Sequence, residues 1–168
     1  LYSALEIAVD ALDHPQVYTP EDVYSERLIG DRVLVFDYDN YYLGGVLAEH
    51  LAAQGRTVTY ATPAGHASAW TFMTNELPFV YQALARRGVD IHTTTNLMGF
   101  DGASAAMQNL FNATPLEVDV DSIVIVGHRE SRDAVFEALV TSEPVGGVQP
   151  SLHLVGDALA PGAIVHAV

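Results

Sequence analysis

Apolar runs of strand length alternate with helix-length stretches along this chain. Residues 32–36 (RVLVF) form a continuous apolar run, as expected for a strand that is covered on both faces. Residues 45–54 (GVLAEHLAAQ) place apolar side chains at helical spacing, and Gly55 follows them as a helix-ending residue. Residues 57–61 (TVTYA) are rich in strand-forming residues. A strand, a helix, a glycine and a strand within about thirty residues predict a βαβ unit with a right-handed crossover.

The same alternation continues on both sides of this unit. Thr19 followed by Pro20 is a helix-start signal. The remaining predicted elements are a short helix at 1–11, a helical turn at 21–25, a helix at 75–87, a strand at 89–93, an antiparallel meander within 96–121, a buried strand at 122–126, a helix at 133–139 and a strand at 152–155. The pattern therefore predicts an α/β fold: a Rossmann-like parallel sheet flanked by helices, with a small antiparallel β-meander.

Composition narrows the classes of partner. Hydrophobic residues make up 49% of the 168 residues and charged residues 17%, which is typical of a globular domain. No apolar stretch reaches the roughly 18 residues that a transmembrane helix needs. The net charge is −14, and all seven basic residues are arginine. Because such an acidic surface repels phosphate groups, nucleic acid and anionic membranes are not expected partners.

The sequence lacks the residues that several kinds of catalytic and metal-binding site require. The chain has no cysteine, which excludes disulfides, thiolate catalysis and cysteine-bound zinc or iron–sulfur sites from these residues. Its histidines lack the spacing of a metal site, so we predict no metal ligand and no catalytic residue. Trp70 and Phe72 favour an interdomain surface over a pocket. The N-terminal residues do not resemble a secretory signal, and we expect a cytoplasmic location.

The loop after the first long strand departs from a dinucleotide-binding loop. A G-x-G-x-x-G sequence there lets the backbone approach a pyrophosphate at a helix N-terminus. If Gly44 is the last glycine, Asp39 and Tyr41 stand where the first two belong. A carboxylate about 5 Å from a phosphate charge costs about 3 kcal/mol at an effective dielectric of 20. The second strand also ends in Ala61, Thr62 and Pro63, so it lacks the acidic residue that binds the ribose of a dinucleotide. These changes favour a loop that caps its own helix over an NAD(P) site.

A second enzyme class competes for the same loop. The sequence VLVFDYDN resembles the D-x-D loop of haloacid dehalogenase-type phosphatases, with Asp37 as nucleophile and Asp39 as acid and base. Those enzymes carry Thr or Val where this chain has Tyr41, and they use a lysine, which this chain lacks. Their final acidic pair is matched only by Asp157. The phosphatase remains the less favoured alternative.

Three segments in order resemble one family. They are DYDNYYLGGVLAEHLAAQGRTVTYATP, then SAWTFMTNELPFVYQALARRGVDI, then DSIVIVGHRESRDAVFEAL with LHLVGDALAPG. Together they resemble the C-terminal NAD/FAD-binding-like, disulfide-reductase-like region of the trimethylamine, dimethylamine and histamine dehydrogenases, a branch of the old-yellow-enzyme-type flavin oxidoreductases. In that family the glycine fingerprint is likewise replaced by an acidic, tyrosine-containing loop.

The resemblance implies a fragment of a larger flavoenzyme. Residues 1–30 would connect from a preceding FAD-like domain, 31–144 would be the NAD(P)-binding-like domain, and 145–168 would return to the FAD-like domain. The chain would be a structural, non-catalytic module. It would contribute to an ADP site, and the predicted cofactor-binding residues are Gly44, Gly45, Gly156 and Asp157.

The same resemblance places the remaining cofactors and partners outside this chain. FMN and a four-iron four-sulfur cluster would belong to an upstream barrel of the same protein. That barrel and the FAD-like domain would be its partners, and a homo-oligomer stays open. The alternative within flavoenzymes is a functional NAD(P)H-binding domain of a dienoyl-CoA-reductase-like enzyme.

Overall fold

The structure, a computed structural model, describes residues 13–27, 30–127, 131, 133–142 and 151–159, with Asp157 described by its backbone alone. The chain divides into two compact units, Leu1–Gly127 and His128–Val168. The boundaries predicted at residues 30 and 144 stay predictions. The elements of the first unit are β1 (Val17–Tyr18), α1 (Pro20–Tyr24), β2 (Arg32–Asp37), α2 (Tyr42–Ala53), β3 (Thr57–Ala61), a 3-10 helix (Ala69–Phe72), α3 (Leu77–Arg86), β4 (Asp90–His92), β5 (Thr95–Phe100), β6 (Ser104–Asn109), β7 (Pro115–Asp119) and β8 (Ser122–Val126).

Five of these strands form one parallel sheet in the order β1-β8-β2-β3-β4. Strand β2 lies at its centre, and its residues 33–36 are fully buried because both faces of the strand are covered, whereas Arg32 at its start is partly exposed. Val33 and Val35 pack with Leu47 and Leu51 of α2 on one face. Leu34 and Phe36 belong to a separate cluster on the other face. The continuous hydrophobic run therefore reflects two cores divided by one sheet.

The second core is closed by a three-stranded antiparallel sheet in the order β5-β6-β7. Its inward residues include Leu97, Ala105 and Met107, which pack with Leu34 and Phe36. A register shift between Leu97 and Gly99 marks an irregularity in the β5–β6 ladder. The predicted α/β fold, with a parallel sheet, flanking helices and a small antiparallel meander, is confirmed.

Local signals positioned the start of α1. The Thr19 side chain accepts a hydrogen bond from the Asp22 N–H at 3.4 Å, and the Asp22 carboxylate accepts one from the Thr19 N–H at 2.9 Å. This reciprocal pair is a capping box, and Pro20 occupies the first helical turn. The helical turn predicted at 21–25 is present as Pro20–Tyr24.

Other elements differ from their predicted bounds. Helix α2 begins at Tyr42, three residues before the predicted start at residue 45. Two adjacent glycines weaken the helical signal in that first turn, and tertiary packing overrides their low propensity. Between β3 and α3, where the hydrophobic pattern predicts no element, the structure has the 3-10 helix Ala69–Phe72.

In the second unit, the helix predicted at 133–139 is present as α4 (Ala134–Thr141). The strand predicted at 152–155 is wrong, since these residues form no ladder with any described residue. A strand needs a neighbouring backbone for its hydrogen bonds, and apolar residues alone do not supply one. A 3-10 turn follows at Gly156–Ala158. The helix predicted at 1–11 lies outside the described residues.

Candidate functional site

The candidate site is the loop between β2 and α2, at the carboxyl end of the central strand. Open parallel sheets bind ligands outside the carboxyl ends of their strands. Asp37 is the last residue of β2, and none of its surface is exposed. Its Oδ1 accepts a hydrogen bond from the Asn40 N–H at 2.9 Å. Its Oδ2 accepts one from the hydroxyl of Tyr60 on β3. Both carboxyl oxygens of Asp37 therefore bind groups of the protein itself.

Tyr60 connects this carboxyl to the loop that follows β3. Its hydroxyl donates to Asp37 and accepts a hydrogen bond from the Ser68 N–H at 3.0 Å. Tyr60 is completely buried. Burial and the neighbouring Asp37 carboxyl raise the pKa of Tyr60, so its hydroxyl keeps the proton that it donates. The three residues form one buried hydrogen-bonded chain across two loops.

The environment of Asp37 shifts its acidity. Burial raises the pKa of Asp37 from its ordinary value of 3.8 to about 6, since a carboxylate is costly to remove from water. Hydrogen bonds from Tyr60 and Asn40 oppose this increase, and the nearby charge of Asp39 adds to it. Perturbed carboxyl groups are common at functional sites, but buried structural networks also produce them. The hydrogen bonds from the protein to both carboxyl oxygens of Asp37 favour the structural role.

Gly44 and Gly45 allow the first turn of α2 to approach this cluster. A Cβ atom on Gly44 would lie 2.5 Å from Cγ of Asp37 and 2.7 Å from its Cβ. A Cβ on Gly45 would lie 2.7 Å from Oγ of Ser68. In a dinucleotide-binding fingerprint, the third glycine has this role of close helix–strand packing. Gly44 keeps that role, and the predicted cofactor contacts of both glycines stay a prediction.

Gly44→Ala is expected to destabilise the protein by about 1–2 kcal/mol. Overpacking costs about 1–3 kcal/mol, and the better helix propensity of alanine returns at most about 1 kcal/mol. Urea denaturation measures the difference. Gly65→Ala is the matched control, because a Cβ there meets no atom within 4 Å; it should change stability by less than about 0.5 kcal/mol. A Gly44→Ala variant as stable as the unmodified chain would contradict the close approach.

Asn40 fastens the β2–α2 loop to the segment after β3. Its backbone is left-handed, with φ of 63°, a conformation that asparagine tolerates. Its side-chain oxygen accepts a hydrogen bond from the Thr62 hydroxyl at 2.8 Å, and its carbonyl accepts one from the Trp70 N–H at 2.9 Å. Thr62 follows β3, where a ribose-binding acid would stand. Protein groups therefore bridge the crevice in which a dinucleotide would lie.

One expectation for this loop is wrong. The acidic loop was expected to cap its own helix, but Tyr41 is the N-cap of α2 and makes no side-chain capping hydrogen bond. The carboxyl of Asp37 instead binds the N–H of Asn40, one residue before the cap. Tertiary contacts place the side chain of Asp37, the last residue of β2, against the first turn of α2. In that position it stabilises the conformation of the loop.

The other predicted cofactor residues, Gly156 and Asp157, belong to the second unit of the chain. Gly156 has a left-handed φ of 63°, and a Cβ there would meet no atom of the described residues within 4 Å. The side chain of Asp157 lies outside the described structure. Within the described residues, no group of three histidine, aspartate or glutamate side chains could hold a metal ion. No described helix is long and apolar enough to cross a membrane.

A cavity of about 400 Å³ lies away from this loop, between strand β4 and the meander. Its lining includes Thr93, Thr95, Asn109 and Leu116. The predicted cofactor residues of the first unit, Gly44 and Gly45, are absent from its lining. Sequence analysis therefore gave no indication of this cavity.

Comparison with known proteins matches the part of the chain that contains the loop. Residues 18–126 match the family model described as the OYE-like second alpha/beta domain. Dimethylamine dehydrogenase from Hyphomicrobium sp. (strain x) is 27% identical over 176 residues, which cover 91% of this chain and 24% of that protein.

Two solved structures share the fold. The 6-hydroxypseudooxynicotine amine oxidase from Pseudomonas geniculata N1 superimposes with a TM-score of 0.85 and 33% identity, covering 92% of this chain and 23% of its own. Histamine dehydrogenase from Rhizobium sp. 4-9 gives a TM-score of 0.82 and 29% identity, with 92% and 25% covered. The chain therefore spans about a quarter of the length of these relatives.

Proposed function

Because the chain belongs to the family of OYE-like second alpha/beta domains, we propose that it is a non-catalytic module of a larger flavin-dependent oxidoreductase of the amine dehydrogenase type. Its role is to scaffold neighbouring domains. The observation that carries this proposal is the bridged crevice between β2 and β3. There Asp37, Tyr60, Asn40 and Thr62 bind one another where a dinucleotide would bind.

The physical argument is competition for the same groups. A pyrophosphate needs free N–H donors and an open backbone at the start of a helix. Here the first turn of α2 has no side-chain cap, but the Asn40 N–H just before it is bound to Asp37, and the Trp70 N–H is bound to the Asn40 carbonyl. Opening the crevice would break these hydrogen bonds and would place a phosphate near two carboxyl groups, those of Asp37 and Asp39. These residues therefore do not fit an NAD(P) phosphate.

The cofactors of such an enzyme would be bound elsewhere. This chain has no cysteine to ligate an iron–sulfur cluster, so the cluster and FMN would belong to another part of the polypeptide. Within this proposal, Gly156 and Asp157 contribute to an ADP site at the edge of the FAD-like domain. The left-handed turn at Gly156, against which none of the described residues packs within 4 Å of a Cβ position, is compatible with an approaching ligand. We also propose a cytoplasmic location.

The alternative is a functional NAD(P)H-binding domain, and a direct measurement of nucleotide binding distinguishes it from the proposed structural role. We expect titration calorimetry with NADH and with NADPH to show no binding tighter than about 1 mM, which corresponds to about −4 kcal/mol. The variant Asp39→Gly/Tyr41→Gly restores the first two glycines and should still not bind, because the Asn40 bridges remain.

Micromolar binding of either nucleotide by the unmodified chain would overturn the structural role. Binding by the two-glycine variant alone would show that the side chains of Asp39 and Tyr41 close the site, and that the hydrogen-bonded bridge does not. A known NADH-binding reductase, titrated under the same conditions, serves as a positive control that the nucleotide is able to bind.

A further inference from the structure

Several large apolar side chains are exposed on the segment between β3 and the first turn of α3. Exposed fractions are 59% for Trp70, 65% for Phe72, 73% for Met73 and 70% for Phe79. We call these four residues the aromatic face. Since a large aromatic side chain offers about 150–250 Å², the exposed parts of these four side chains add up to roughly 500 Å² of apolar surface. That is near the upper limit for the largest apolar patch of a monomer and about two-thirds of one side of a standard interface.

The aromatic face is exposed but well anchored. The Trp70 N–H is bound to the Asn40 carbonyl, and the hydroxyl of the buried Thr71 donates to the Ser68 carbonyl at 2.7 Å. The Glu76 N–H donates to the Thr71 carbonyl at 2.9 Å, and the Phe79 N–H donates to the Glu76 carbonyl. A backbone already held in one conformation loses little entropy on binding, so this surface is preorganised for a partner.

Electrostatics restricts what can cover the face. No lysine or arginine occurs between Arg56 and Arg86, while the carboxylate of Glu76 lies within the segment. A second copy of this chain would bring another net charge of −14 against the first. The complementary partner is therefore a surface with an apolar centre and arginine or lysine at its rim.

We propose that the aromatic face docks on a neighbouring domain of the same polypeptide, at an apolar patch with basic residues around it. The proposal rests on the proposed function, in which this chain is one module of a longer protein. The relatives are about four times as long as this chain, so they contain enough additional residues to form such a domain. The bridge at Asn40 then has a second consequence, because the segment that closes the crevice also presents the docking surface.

Oxidative footprinting with hydroxyl radicals tests this docking. The 168-residue chain is compared with the polypeptide encoded by the complete open reading frame. We expect Trp70 and Met73 to be oxidised readily in the chain alone and at least about fivefold more slowly in the longer polypeptide. Met98, 46% exposed, and Phe111, 86% exposed, lie on the meander side and serve as internal controls with unchanged rates.

Three results would overturn the proposal. One is equal oxidation of Met73 in both polypeptides, and another is an open reading frame that adds no further domain. The third is self-association of the 168-residue chain in sedimentation velocity that is abolished by Trp70→Ser/Phe72→Ser, which would assign the face to a second copy. Equal oxidation of Met73 leaves the NADH titration unchanged, whereas an open reading frame without a further domain would overturn the proposed function as well. Failure of the docking alone is thereby distinguished from failure of the structural role.

Discussion

Tyr60→Phe should lower the free energy of unfolding by about 2–4 kcal/mol, more than most single substitutions. The change removes one hydroxyl and deprives two buried groups of their partner. The Ser68 N–H loses its acceptor, and Oδ2 of Asp37 loses its donor. A buried polar group left without a partner costs about 1–3 kcal/mol. The aromatic ring itself remains, so no cavity contributes to the effect.

Urea denaturation at pH 7 measures this loss. Tyr24→Phe is the matched control, because Tyr24 is 56% exposed and removal of its hydroxyl should cost less than about 0.5 kcal/mol. If Tyr60→Phe were as stable as Tyr24→Phe, the buried hydrogen-bonded chain from Ser68 to Asp37 would not exist as described.

Asp37→Asn should remove about 3 kcal/mol of pH dependence from the stability of the protein. The folded-state pKa of about 6 lies above the ordinary value of 3.8. Below pH 3.8 the carboxyl is neutral in both states and costs nothing. As the pH rises from 3.8 to 6 the unfolded chain releases this proton first, so stability falls. A difference of about two units at 1.36 kcal/mol each gives the magnitude.

The measurement is a series of urea denaturations between pH 4 and pH 7.5 on both proteins. The stability of the unmodified chain minus that of Asp37→Asn should decrease by about 2.4 kcal/mol over this range, because about 0.5 kcal/mol is already lost at pH 4. Asp13→Asn removes one charge at an exposed position and controls for the change in net charge. A constant difference between the unmodified chain and Asp37→Asn would show that the pKa of Asp37 is not raised in the folded protein.

Some contacts of this protein can be predicted from the sequence, whereas others cannot. The α1 capping box could be predicted from adjacent residues, because Thr19 and Asp22 meet through local helix geometry alone. The partner of Asp37 could not, since Tyr60 is 23 residues away and meets it only when β2 and β3 lie side by side. The sequence predicts that the acidic loop containing Asp37 caps the following helix. The tertiary structure instead buries the carboxyl of Asp37 against Tyr60.

The sequence by itself determined the α/β class, the order of the helices and strands from β2 to β8, and the burial of residues 33–36 in strand β2. The reason is that hydrophobic periodicity and continuous apolar runs are local properties of the chain. It also showed that Asp39 and Tyr41 replace two glycines of the nucleotide-binding fingerprint, but not what became of the crevice.

Only the tertiary structure decided how the crevice is filled. The bridge from Asn40 to Thr62 and Trp70 joins two loops that are distant in sequence, and the contact between Gly44 and Asp37 appears only when α2 packs on β2. The absence of a strand at 152–155 has the same origin, because a ladder requires a second backbone beside the first. Long-range contacts settle what local pattern leaves open.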